Sequence, residues 1–134
     1  MPIARYHIVS LLFITLVGFC VFFPTMTKSQ TLVNMGATIT LTGGARMFVS
    51  GNTVNEKGKI DVLDLARITF DGDVTIKRDG IYFYKDAFGT ITKDLDIKLD
   101  GVCWRYKPGT LNVFGTIRND GELNNDGEIN IGKP

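Results

Sequence analysis

Histidine is nearly missing from this 134-residue chain: the only one, His7, lies in a segment that reads as a leader. Serine is almost as scarce, and Ser50 is the only one after Ser29. A histidine-based triad and a histidine metal cluster therefore have no members to draw on, which excludes hydrolase chemistry of that kind. Cysteine is limited to Cys20 and Cys103. With the leader removed Cys103 stands alone, so no disulfide forms within the subunit even where export permits one. The thiol has no histidine to activate it. Its place beside Trp104 predicts a small buried hydrophobe, with an intermolecular disulfide as the second reading. Excess positive charge is lacking too. Beyond residue 29 there are 13 basic and 14 acidic side chains, a formal net charge of −1, so a nucleic-acid partner has no bulk electrostatic support.

Long apolar runs are absent except near the start, where Ile8 to Phe23 form 16 consecutive uncharged, mostly apolar residues behind Arg5. That is short for a bilayer span and fits the hydrophobic region of a secretory signal peptide. Pro24 breaks a helix, and Thr27-Lys28-Ser29 places small residues three and one positions before a cut that exposes Gln30. Residues 1–29 are accordingly expected to be a cleaved signal peptide and residues 30–134 one small domain, secreted or held at the cell surface after crossing the inner membrane. Membrane contact is expected only through an uncleaved leader. Lipid attachment at Cys20 is disfavoured by the bulky Phe19 before it.

After Gln30 no helical segment of useful length appears. Short β-prone runs recur between Gly, Asn and Asp: ATITL at 37–41, ARMFV at 45–49, KIDV at 59–62, ARITF at 66–70, DVTI at 73–76, IYFY at 81–84 and DIKL at 96–99. Their alternation has a period of two, which predicts an all-β fold. Order is clearest at the end, where Gly109, Gly115, Gly121 and Gly127 open the blocks GTLNVF, GTIRND, GELNND and GEINIG. Leu111, Ile117, Leu123 and Ile129 share the third position of these blocks and are predicted to face a common core. Thr110, Thr116, Glu122 and Glu128 then face solvent, and the Asn-Asp pairs suit corners.

Upstream, one apolar anchor per run gives Ile39, Met47, Val54, Ile60, Ile68, Val74, Ile81, Ile91, Ile97 and Val102, leading into Leu111. Steps of about seven residues, three to a coil, make a triangular coil of about 21 residues. The prediction is a short parallel β-solenoid of roughly five coils, about 24 Å long at about 4.8 Å per coil. A small antiparallel β-sandwich or meander is the competing architecture, because Asp71-Gly72 and Asp100-Gly101 also suit hairpins.

Residues 80–108 form an irregular aromatic-rich segment carrying Tyr82, Phe83, Tyr84, Phe88, Trp104 and Tyr106. One reading is a wider coil with large core rings and a longer loop near Lys85-Asp86. The other is an exposed strip in which Tyr82, Tyr84, Trp104 and Tyr106 bind a glycan or another protein.

Two acid pairs, Asp71/Asp73 and Asp94/Asp96, stand at i,i+2, a spacing that puts both carboxylates on one face of a strand. Calcium binding or sugar hydrolysis could use such pairs, but both flank turns, and Lys93 and Lys98 neutralise the second, so a charged surface is the expectation. Glu122 to Lys133 resembles a damaged calcium loop whose twelfth position is Lys133 where a bidentate Glu is needed. GARMFVSGN at 44–52 lacks the helix and Gly-Lys-Ser/Thr ending of a phosphate loop. No catalytic residue, metal or cofactor is therefore predicted.

GATITLTGGARMFVSGNTVNEKGKI at 36–60 and GTLNVFGTIRNDGELNNDGEINIG at 109–132 resemble the low-complexity β-solenoid segments of secreted or surface proteins of Bacteroidetes, often attached to a type IX secretion sorting domain. The resemblance implies a spacer, stalk or adhesive scaffold and transfers no catalytic residue. The chain differs in reaching Pro134 without a sorting domain and in carrying the aromatic segment, as a truncated member or a small subunit exported by another route would. The expected function is that of an exported, non-catalytic structural or adhesion-associated solenoid that binds itself or another surface protein through its coil ends. The alternative is a carbohydrate-binding module built on the aromatic segment.

Overall fold

The computed structural model describes residues 30–132, so the expected leader at 1–29 lies outside the described residues. The described residues form nine strands: β1 (Leu32–Leu41), β2 (Arg46–Val49), β3 (Thr53–Val62), β4 (Arg67–Phe70), β5 (Val74–Ile91), β6 (Leu95–Val113), β7 (Ile117–Asn119), β8 (Glu122–Asn125) and β9 (Glu128–Ile131). Among them no helix is long and apolar enough to cross a membrane. Every strand pairing is parallel. The fold is a β-solenoid of about five coils, and the antiparallel alternative falls because no hairpin pairs.

Three faces wind around one core. Leu32, Thr53, Val74, Leu95 and Ile117 are successive register partners on the first face. Ile39, Ile60, Ile81, Cys103 and Leu123 play that part on the second, and Met47, Ile68, Gly89, Leu111 and Ile129 on the third. The inner ladder is continuous: the N–H groups of Leu32, Thr53, Val74 and Leu95 donate to the carbonyls of Asn52, Asp73, Asp94 and Thr116 on the next coil. Ile60, Val62, Phe70, Val74, Ile76, Leu95, Ile97, Leu111 and Val113 are fully buried, and each such aliphatic or aromatic chain contributes roughly 1.5–3 kcal/mol.

Two of the expected anchors are out of phase. Thr53 and Asn55 are buried where Val54 is only partly covered, and Cys103 is buried where Val102 is partly covered. The first exchange has a polar cause. Inward Asn34 donates to Asn55 Oδ1 at 2.8 Å and accepts from the Ala37 N–H at 2.9 Å, while Asn55 donates to the Gly58 carbonyl at 2.8 Å. These amides satisfy the backbone where the first face turns into the second, a demand that outranks the burial of one valine.

The expected irregularity of 80–108 is confined to the corners. β5 and β6 run through all three faces, and their register slips only at Ile76/Arg78, Phe83/Lys85 and Lys85/Phe88. Phe83 is buried in the core, whereas Tyr82, Tyr84, Trp104 and Tyr106 lie on the outer side, half-buried. A side chain at Gly89 would overlap the Phe83 ring, so the glycine in an otherwise aliphatic column makes room for the largest hydrophobe beside it.

Coil length changes along the stack. Equivalent residues are 21 apart between the early coils, as for Asn34 and Asn55, and 22 apart from Asp94 to Thr116. They are 20 apart from Arg105 to Asn125 and 18 from Asn112 to Asn130. The last coil thus sheds corner residues while its faces stay in register, and this is where the six-residue blocks fall.

Candidate functional site

The acids singled out in the sequence are brought together, but as corner fasteners. Where the third face returns to the first, Asn52 Oδ1 accepts from the Asp73 N–H at 3.0 Å, Asp73 Oδ1 from the Asp94 N–H at 3.3 Å, and Asp94 Oδ1 from the Thr116 N–H at 2.8 Å. Each carboxylate or amide thus caps the backbone of the coil above. The bond from Thr116 holds the Asp94 carboxyl below its ordinary range. Thr116 faces solvent as expected, yet its backbone and hydroxyl both serve Asp94, so an acid there would face a carboxylate. Asp71 Oδ1 accepts from Thr92 Oγ1 at 3.0 Å, and Asp96 pairs with Lys98 at 2.6 Å. In the stretch that imitates a calcium loop, Glu122 bonds to Asn124, and Asn125 Oδ1 accepts from the Gly127 N–H at 3.1 Å. Among the described residues no group of three His, Cys, Asp or Glu is placed to hold a metal ion.

The four outward aromatics converge. Period-two alternation sends Tyr82 and Tyr84 out of β5, and Trp104 and Tyr106 out of β6. The register then sets Tyr82 beside Trp104 across the two coils. Tyr84 and Tyr106 stack at 4.8 Å between centroids with planes 10° apart, Trp104 and Tyr106 at 5.0 Å and 9°, and Tyr82 and Tyr84 at 6.2 Å and 18°. The shorter separations are too small for rings side by side in one plane and are those of offset stacking. The wall is therefore shingled, with parallel rings overlapping like tiles. Tyr82 lies over Gly80, where an added Cβ would meet its ring at 3.1 Å. Lys59 Nζ stands 5.7 Å from the Tyr82 centroid. Burial, then the charges of Asp79 and Asp61, raise the Tyr82 phenol above its ordinary value; burial and Asp61 do the same for Tyr84. Asp61 Oδ1 and Trp104 Nε1, both in the outward row that includes Tyr82, have no hydrogen-bond partner among the described residues.

Inside the wall lies a residue that sequence reasoning missed. Arg105 follows Trp104 and Cys103 in alternation, so it points inward, and it is 0% exposed. Its Nε donates to Asn125 Oδ1 at 3.0 Å, while Nη1 and Nη2 have no partner among the described residues. Any side chain at Gly127 would overlap the guanidinium. Burial lowers the Arg105 pKa, opposed by Glu128 and Asp126. The available signal was phase: Cys103 and Arg105 share the parity that Ile81 and Phe83 hold one coil earlier. Cys103 itself is buried, as expected, and burial pushes its thiol up to about 12, so it is no nucleophile at neutral pH.

The six-residue repeat ends in an incompletely covered coil. Leu111 is fully buried, whereas Ile117, Leu123 and Ile129, one from each face of the fifth coil, are only partly buried against the core. Ile131 is 64% exposed. β7, β8 and β9 each pair with β6 alone among the described residues. Compared with protein-family models, with curated proteins and with solved structures, the chain returns no match.

Proposed function

We propose that this chain is an exported, non-catalytic structural or adhesion-associated solenoid that associates with a second copy of itself or with another surface protein through a coil end. The observation that carries the reading is the fifth coil, where among the described residues three short strands pair on one side only, above three half-covered aliphatic side chains. Covering that edge continues an existing ladder and completes an existing core. A contact on the charged side walls would instead desolvate Lys, Asp and Glu. The structural use of Asp73 and Asp94 supports the absence of catalysis from this reading, and export rests on the leader at 1–29.

Spacing narrows the partner. In the first coil the inward positions Leu32, Ile39 and Met47 are separated by seven and eight residues. In the fifth, Ile117, Leu123 and Ile129 are separated by six. A first coil laid on a fifth would mismatch at the corners, whereas a second fifth coil turned end over end presents the same steps. A symmetric pair of this kind closes on itself.

Sedimentation equilibrium of the exported protein tests the reading. The Gly132 N–H donates down to the Val113 carbonyl, so alternation points the Ile131 N–H away from the fourth coil. Ile131→Pro therefore blocks the edge without removing a ladder bond. The expected result is a concentration-dependent association that Ile131→Pro weakens at unchanged urea midpoint. A wild-type protein that stays monomeric at all concentrations would overturn the proposal.

A further inference from the structure

The stacked aromatics are not needed for association through a coil end, and their chemistry points elsewhere. The row Asp61, Tyr82, Trp104 and Asn124 crosses four coils in register on the second face. Beside it runs the row Lys59, Gly80, Val102 and Glu122, whose two central members are small. The small row gives the rings a seat: Tyr82 lies over Gly80, and Tyr84 and Tyr106 stack on the other side of Tyr82 and Trp104.

The choice of rings is informative. The chain has nine Phe, four Tyr and one Trp, yet all four rings here carry an O–H or N–H. A wall meant only to bury apolar area would be served by phenylalanine, as the core is at Phe70 and Phe83. Rings with polar tips suit a ligand that alternates C–H faces with hydroxyls. Two atoms in the same row, Asp61 Oδ1 and Trp104 Nε1, lack hydrogen-bond partners. They are one acceptor and one donor, and a hydroxyl can answer either. Neighbouring side chains cover both atoms, so a ligand reaches them by displacing surface groups rather than by entering a cavity.

Charge limits the class further. Asp61, Asp79 and Glu122 all act on Tyr82, and Lys59 is the one cation set over that ring. At the Tyr82 end of the wall a polyanion meets three carboxylates against one ammonium. That end disfavours nucleic acids and uronic or sulfated polysaccharides relative to an uncharged sugar chain.

We infer that the wall formed by Tyr82, Tyr84, Trp104 and Tyr106, with Asp61 and Asn124 at its two ends, is a binding site for a neutral polysaccharide. Sugar C–H faces lie on the exposed parts of the rings, and hydroxyls bond to the phenols, to Asp61 and to the indole N–H. The site spans two coils and two positions along each strand, which favours an extended chain over a single monosaccharide.

Trp104 is the only tryptophan of the chain and sits in the site, so the protein carries its own reporter. The full chain, produced with its leader in an exporting host, is titrated with laminarin, galactomannan and xyloglucan as neutral polymers and with alginate as an acidic one. At least one neutral polymer is expected to shift and quench the emission, and alginate to do so far more weakly. Tyr106→Ala removes a stacked ring and is expected to weaken binding by about three- to tenfold. Tyr106→Phe keeps the stack and loses only the hydroxyl. It separates the roles: binding weakened at an unchanged urea midpoint supports a ligand contact, whereas full binding by both Tyr106 variants overturns the assignment of this wall. Emission unmoved by all three neutral polymers, or moved as strongly by alginate, also overturns it.

Discussion

The second to fourth coils and the fifth share one plan, three parallel faces joined by corners, yet they differ in length and in what they enclose. In the longer coils the inward columns are filled by Ile60, Val62, Phe70, Ile76, Ile81 and Ile97, all buried. In the fifth coil Ile117 and Leu123 are only partly buried, Asn119 and Asn125 stand exposed over Ile97 and Arg105, and Asn125 bonds the Arg105 guanidinium. Its circumference has fallen from 21 or 22 residues to 18. Face register is dictated by hydrogen bonding to the coil below and cannot slip without turning every side chain over. Corners have no such constraint and absorb the difference. The comparison teaches that regularity in the sequence and completeness of the core need not coincide: the most regular repeat belongs to the least covered coil.

The two coils should respond most differently to the same charge placed at equivalent positions. Leu111 and Ile129 are register partners on the third face, the first fully buried and the second partly so. Leu111→Asp should cost about 4 kcal/mol or more and abolish cooperative folding, whereas Ile129→Asp should cost about 1–2 kcal/mol. Urea denaturation followed by circular dichroism reads the difference. Equal losses would mean that the fifth coil is as well covered as the fourth.

A smaller effect is expected where the two coils meet. Gly127→Ala forces a methyl group into the space of the Arg105 guanidinium and should cost about 1–3 kcal/mol. Arg105→Met replaces a buried charge having two unpaired nitrogens and should be neutral or stabilising by about 1 kcal/mol. In the double variant the penalty at Gly127 should largely vanish, and a double-mutant cycle measures that coupling. Additive effects would show that the arginine does not fix the glycine.

The smallest effect concerns the corner shared by the two coils. Asp94 has a depressed pKa because it accepts from Thr116, so its contribution is present above its unfolded pKa and fades as pH falls through the lower folded value. Asp94→Asn keeps an acceptor, as Asn52 does two coils earlier. It should leave neutral-pH stability nearly unchanged while flattening the acid limb of a stability-against-pH curve. An unchanged acid limb would remove Asp94 from that linkage.

Much of the fold was legible in the order of residues. The period of two, the seven-residue steps and the scarcity of helix-forming stretches carried the parallel solenoid and its number of coils, because a short apolar run followed by a corner leaves few other ways to bury a face. The aromatic site was legible as a set of four residues but not as a surface, since Phe83 shares its run and only the phase of the strand separates one ring inside from three rings and an indole outside.

Local alternation and composition suffice for the fold class, the coil period, the core position of Leu111 and the burial of Cys103. Tertiary structure alone decided that Asn34 and Asn55 displace a valine from the core, that Asp73 and Asp94 fasten backbone across corners, that Arg105 is enclosed against Gly127, and that the outward rings overlap rather than lie flat. These are outcomes of stacking: residues 18 to 22 positions apart become neighbours about 4.8 Å away. What each side chain does is then set by the coil above and below it, a relation that no local pattern records.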